Sequence, residues 1–134
     1  MNTGSYTKCF DDCWGQMYMD MGFDDKYFND GFSTFTLEEN LKYFNEFLEG
    51  DFIYPFFRIV GLNKKCIHIL GCLLDSNNNI STVYETVLGH IDMNLRKMVE
   101  MDDPFFNSIK NLKHHHDNYG NLPFDLRLAV KESV

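Results

Sequence analysis

The sequence predicts an all-α fold, a helical bundle or short α-solenoid-like array of about six to seven helices, and three observations predict it. Apolar residues recur at spacings of three and four along most of the chain, the segments carrying them open on capping residues, and they close on glycine or on polar turns. The 134 residues are expected to form a single helical domain, 1–134, because a chain of this size buries on the order of 65 to 70% of its unfolded surface and needs no staple. Thirteen Phe, seven Tyr and seven Met supply large side chains to fill its core.

The first helix is signalled by Thr7 as N-cap, by Asp11 and Asp12 early in the segment, and by Phe10, Cys13, Trp14, Met17, Tyr18 and Met21 on one face, with Gly22 closing it. A short segment at 24–30 leads into a loop at Gly31. Thr36 and Glu39 then read as a capping box in which each side chain satisfies the other residue's free backbone donor, opening a helix with Leu37, Leu41, Phe44, Phe47 and Leu48 on one face and its end at Gly50.

The stretch 52–74 reads as an antiparallel helix pair, with Phe52, Ile53, Phe56, Phe57 and Val60 on one face and Cys66, Ile69, Leu70, Leu73 and Leu74 on the next. Two apolar runs joined by Gly61-Leu62-Asn63-Lys64 also fit a β-hairpin, and Gly71 weakens the second helix by up to about 1 kcal/mol relative to Ala. Residues 75–79, rich in Asn, form a connection. A long helix follows over about 81–101, striped by Val83, Tyr84, Val87, Leu88, Ile91, Leu95, Met98 and Val99. Asp103 as N-cap and Pro104 at the first helical position open another, with Phe105, Phe106, Ile109 and Leu112 inside. At 123–130 a last helix opened by Pro123 competes with a terminal strand, since Phe124, Leu126, Leu128 and Val130 alternate with period two.

Charge is distributed unevenly. Residues 1–51 hold 11 acidic and 3 basic side chains, a balance of −8, whereas residues 52–134 hold 9 of each. A field of this kind repels nucleic acid and anionic membranes and attracts basic partners. Its partner-binding candidates are the carboxylates Asp11, Asp12, Asp20, Asp24, Asp25 and Asp30. Tyr27 and Phe28 stand among them as aromatic anchors, because interface hot spots favour large rings with a polar rim. No apolar run approaches the roughly 20 residues of a membrane span. The N-terminus lacks the pattern of a secretory signal, which leads to a cytoplasmic expectation.

No constellation signals catalysis or a cofactor. Adjacent carboxylates at 11–12, 24–25, 38–39 and 102–103 do not converge by virtue of adjacency, and the glycines form no phosphate-cradling motif. His114, His115 and His116 point about 100° apart on a helix, so they do not converge on one metal ion. Cys9, Cys13, Cys66 and Cys72 are spaced for packed, reduced thiols rather than for a zinc knuckle, a four-cysteine metal site being the alternative. The expectation is therefore a non-enzymatic, protein-binding chain with no metal and no cofactor.

Residues 21–31, Met-Gly-Phe-Asp-Asp-Lys-Tyr-Phe-Asn-Asp-Gly, running into 35–44, Phe-Thr-Leu-Glu-Glu-Asn-Leu-Lys-Tyr-Phe, resemble the opening of small cytoplasmic immunity proteins of bacterial contact-dependent and polymorphic toxin systems, over about a third of the chain. The resemblance implies an inhibitor of contact-dependent growth inhibition that binds and neutralises a cognate toxin, commonly a basic nuclease domain, whose phosphate-gripping surface an acidic face complements. The alternatives are a viral Bcl-2-like inhibitor of host signalling, from the richness in Asp, Asn, Phe and Tyr, and a metal-dependent enzyme using the histidine triplet with Asp117.

Overall fold

The middle of the chain concentrates β-branched residues, among them Ile59, Val60, Ile67, Ile69, Val83 and Val87, which are stiff at χ1 and pack well on a pleated surface. In a computed structural model, which describes residues 3–48, 50–120, 122 and 126–131, with side chains from Lys8 onward, this region forms a sheet. The fold is mixed α/β and not the expected all-α bundle. Helices α1 (Thr3–Met21) and α2 (Asp25–Asn29) precede strands β1 (Phe32–Tyr43), β2 (Tyr54–Leu62), β3 (Cys66–Leu74), β4 (Ile80–Asp92) and the short β5 (Lys97–Met98), and helix α3 (Asp103–Asp117) follows. The strands lie in the order β1-β4-β3-β2, with β5 pairing β4, and every pairing is antiparallel.

The corrections follow from burial. The expected capping-box helix at 36–50 is instead the edge strand β1 and the loop after it, the helix pair at 52–74 is the β2–β3 pair, and the long helix at 81–101 is β4, its hairpin and β5. Strand β3 is buried along nearly its whole length, and β4 along most of its own. A strand covered on both faces has no polar side to alternate with, so its composition does not announce period two. Two helices do form where the spacing placed them. α1 begins earlier than Thr7 and ends before Gly22, which is left-handed at φ 101°. α3 takes Asp102 rather than Asp103 as its N-cap, the Asp102 carboxylate accepting from the Phe105 N–H at 2.8 Å, with Pro104 in the first turn. Of the expected terminal helix, residues 123–125 lie outside the described residues, and residues 126–130 are neither helix nor strand.

Alternation divides the sheet into two faces. The inner face receives α1 and α3: Met17, Met21 and Phe23 meet Ile59, Ile67, Ile69 and Leu88, and Met101, Phe106 and Ile109 complete this cluster. At the other end of α1, Phe10 packs with Phe47 and Leu73. Gly71 is the seat of that contact. A Cβ there would lie 2.9 Å from Phe10 and 3.0 Å from Phe57, so the missing side chain is what lets the helix descend onto β3. On the outer face, Leu70, Cys72 and Val83 are covered by Leu122 and Leu126 of the C-terminal segment. Among the described residues no helix is long and apolar enough to cross a membrane.

Candidate active site

A β-bulge selects the carboxylate that faces the helices. The β1–β4 register shifts between Thr36 and Glu38, so that Thr36 pairs with Leu88 and Glu39 with Thr86, both inner-face positions, while Glu38 pairs with Val87 on the outer face. One inserted residue therefore re-aims adjacent acids to opposite sides of the sheet. The Tyr84 hydroxyl donates to Glu39 Oε1 at 2.6 Å, and the Tyr84 ring packs against Phe10 of α1 with ring centroids 5.0 Å apart. Burial raises the Tyr84 hydroxyl's pKa, and the bond to Glu39 raises it further, so the tyrosine stays protonated and donating. Glu39 itself is exposed. It stands at the rim of the apolar cluster formed by Phe10, Phe47 and Leu73 with Leu41, Ile53 and Phe57 around them. A carboxylate oriented by a phenol beside an apolar wall can take a proton from water next to a bound hydrophobic group.

Three histidines are buried, and each has a structural partner. His90 Nδ1 lies 2.9 Å from the Val99 carbonyl and His90 Nε2 lies 2.6 Å from the Tyr27 hydroxyl. Nδ1 thus carries the proton, and Nε2 accepts from Tyr27. On the outer face His68 Nε2 lies 3.1 Å from Glu85 Oε1, and the Glu85 carboxylate also accepts from the backbone N–H groups of Arg127 and Leu128, at 2.8 and 3.1 Å. These bonds hold the C-terminal segment across the sheet. His116 turns inward from α3, its Nδ1 accepting from the Ile59 N–H at 3.0 Å, while His114 and His115 face solvent. Burial is the first cause lowering the pKa of all three, and the Glu85 bond pulls that of His68 the other way.

The residues nominated as a partner surface lie on α1 and on or beside α2. Asp11, Asp12 and Asp20 lie along exposed faces of α1, with Asp12 held by Lys8 and Asp20 by Gln16. Asp24 caps α2 by accepting from the Tyr27 N–H, Asp25 lies in its first turn, and Asp30 pairs with Lys26. Tyr27 and Phe28 are half-buried and pack on the inner core. The Tyr27 ring stacks on Phe105 at 4.1 Å and 7°. The four cysteines are unpaired. Cys66 and Cys72 sit on the outer face while Cys9 and Cys13 belong to α1 on the inner side, so they cannot share an ion. Among the described residues no three His, Cys, Asp or Glu side chains are grouped to hold a metal.

Glu39 was legible in the sequence as half of a capping box and as one of an adjacent carboxylate pair with Glu38. Nothing in the pattern announces the bulge that turns it inward.

The fold and this geometry can be set against known proteins. The family model described as the thioesterase-like superfamily matches residues 1–109, most of the chain, and the protein belongs to that superfamily. Its fold is the hotdog-like one, a long helix held against an antiparallel sheet. A hypothetical protein from Staphylococcus aureus, characterised in complex with CoA, superposes with a TM-score of 0.83 at 19% identity, over 100% of this chain and 84% of that one. A DHNA-CoA thioesterase from Staphylococcus aureus gives 0.75 at 12% identity, over 90% of this chain and 84% of that one. A thioesterase from Thermus thermophilus, complexed with coenzyme A and Zn, gives 0.69 at 14% identity, over 85% of this chain and 81% of that one. No curated protein matches the chain in sequence.

These findings overturn the immunity-protein resemblance and, with it, the cognate toxin and its nuclease domain as partner. They also overturn the viral Bcl-2-like alternative, which requires a helical bundle, and the metal-dependent reading built on the histidine triplet, whose His116 is turned into β2. The expectation of a non-enzymatic chain is corrected too, because membership of the thioesterase-like superfamily indicates an enzyme. The physical cause of the error is local. The segments at 21–31 and 35–44 that carried the resemblance are a helix end, a one-turn helix and an edge strand: Phe23, Tyr27 and Phe28 of the first pack in the inner core, whereas Phe35, Tyr43 and Phe44 of the second are exposed.

Proposed function

We propose that the protein hydrolyses the thioester of an acyl group carried on coenzyme A, with Glu39 as general base and Tyr84 as the residue that orients it. The observation carrying this reading is the Tyr84–Glu39 pair at the rim of the apolar cluster under α1, in a chain of the thioesterase-like superfamily. In the reaction, Glu39 accepts a proton from a water molecule as its oxygen attacks the thioester carbonyl carbon. The carbon–sulfur bond then breaks, the acyl group leaves as the carboxylic acid, and the departing thiolate takes the proton from Glu39. The apolar side chains around Phe10 and Leu41 receive the acyl group and keep bulk water from it.

The four unpaired thiols support a cytoplasmic setting, where thiols are kept reduced. The test of the activity is release of the CoA thiol from a panel of short, long and aromatic acyl-CoA substrates. Turnover that is lost in E39Q is the expected result. Absence of turnover on every member of the panel overturns the reading.

A further inference from the structure

Strand β2 sets Arg58 on the outer face of the sheet, opposite Leu70 of β3, and sets Phe56 on the same face, opposite Cys72. Arg58 is only 9% exposed. Its Nε is buried with no hydrogen-bond partner, and among the described residues no carboxylate forms an ion pair with its guanidinium. The acids on neighbouring elements are engaged elsewhere. Glu85, paired with Leu70 in the same row across the sheet, is held by His68 and by the Arg127 and Leu128 N–H groups. Asp117 at the end of α3 pairs with Lys113, and Asp20 of α1 accepts from Gln16. A buried charge without a counter-charge is among the costliest groups a fold can hold. The guanidinium is therefore a set of donors for an acceptor from outside these residues.

Aromatic side chains border it. The end of α3 meets β2 where His116 Nδ1 accepts from the Ile59 N–H. Just beyond, the Tyr119 ring stacks on His116 with centroids 5.8 Å apart at 21°, and meets Phe56 edge-on at 5.6 Å. Tyr119 is 55% exposed and Phe56 36%. Two residues of strand, about 7 Å, thus separate a ring open to solvent from a buried cation. Leu122 covers Leu70 and Cys72 on the same face. The charge of Arg58 is felt both by the Cys72 thiol and by His116, which places it between the sheet face and the end of α3. Of the charged groups felt at His116, namely His115, Arg58, Asp117 and Asp20, only Arg58 is a permanent cation.

We infer that this end of β2 binds a small organic acid with a planar apolar body, its carboxylate on the Arg58 guanidinium and its ring against Phe56 and Tyr119. The guanidinium fork presents paired N–H donors that match the two oxygens of a carboxylate. One fixed charge beside aromatic walls is the pattern by which a site orients a ligand of this kind. A single permanent cation suits a single negative charge. The site lies on the opposite face of the sheet from Glu39 and does not depend on the thioester reading.

The test is calorimetric titration of wild type, R58M and Y119A with benzoate, and with benzamide as its neutral counterpart of the same shape, in Tris chloride. R58M keeps the length of the side chain without a charge to bury, and Y119A changes an exposed position, so both are expected to fold. Circular dichroism melts check that. The expected result is saturable binding of benzoate to wild type, with Kd raised about tenfold or more for benzamide on wild type and for benzoate on R58M, and raised severalfold for benzoate on Y119A. If R58M does not fold, the comparison of benzoate with benzamide on wild type, and of wild type with Y119A, decides the matter alone. Benzoate that does not bind wild type, benzamide that binds as well as benzoate, or benzoate binding undiminished in the folded variants overturns the inference.

Discussion

The Tyr84 hydroxyl donates to Glu39 Oε1 over 2.6 Å, a single bond that joins a central strand to the edge strand and fixes the direction of an exposed carboxylate. If Glu39 is the base, E39Q removes the proton acceptor at almost constant shape, and kcat should fall by about 10² to 10⁴, the usual contribution of a positioned base. Y84F keeps the carboxylate and loses its orientation, so kcat should fall by roughly tenfold, equivalent to about 1.4 kcal/mol, with KM little changed. Steady-state kinetics of both variants on one acyl-CoA check this. An E39Q enzyme as active as wild type would place the base elsewhere.

Tyr27 was a candidate surface anchor, and its hydroxyl instead bonds to buried His90 while its ring stacks on Phe105. Y27F leaves His90 Nε2 without its donor in a site closed to water. The expected loss is about 1 to 3 kcal/mol, the usual cost of an unsatisfied buried polar group. Urea denaturation should show a lower midpoint at unchanged slope, whereas an unchanged midpoint would mean that water reaches His90.

At Gly71 the expected effect of adding one carbon is also destabilising. A Cβ would meet Phe10 and Phe57, at 2.9 and 3.0 Å, and both rings belong to the packed inner face. G71A should cost about 1 to 3 kcal/mol by overpacking, and F10L in the same chain should recover part of that loss. Thermal melts of the single and double variants measure the recovery.

Acid should destabilise the protein through its buried histidines. Burial lowers the pKa of His68, His90 and His116 in the folded state, so below the ordinary value of about 6.5 the unfolded chain binds more protons than the folded one. Their contribution to stability is therefore fully present above that pH and is lost as pH falls toward the folded-state values. Each histidine contributes a slope of up to about 1.4 kcal/mol per pH unit within its window. Chemical denaturation between pH 7.5 and 5 should show the decline, and a stability that stays level across that interval would contradict it.

Thiol reactivity should be graded. Burial pushes the Cys72 thiol up to about 12, and the side chain lies under Leu122 and Leu126 on the outer face. Iodoacetamide at pH 8 should leave Cys72 unmodified in the folded protein and label it on unfolding, with peptide mapping as the readout. Rapid labelling of Cys72 in the folded protein would show that the C-terminal segment opens.

The sequence by itself determined the local events. α1 ends at Gly22 because a left-handed residue is required there, α3 opens on an acid-and-proline signal, the Asn-rich stretch at 75–79 is a turn, and the acidic excess belongs to the first two fifths of the chain. Each depends on residues a few positions apart. What only the tertiary structure decided is that Val83, Val87 and Ile91 lie on a strand. Spacings of four are shared by the helical period and by twice the strand period, and β4 is buried on both faces, with polar Glu85, Thr86 and His90 buried beside its apolar residues, so no exposed polar face marks a period of two. The same reason hid the site. Glu39 faces inward because one residue is inserted in β1 opposite β4, 45 positions from Tyr84, and a pairing over that distance is set by packing rather than by any pattern within either strand.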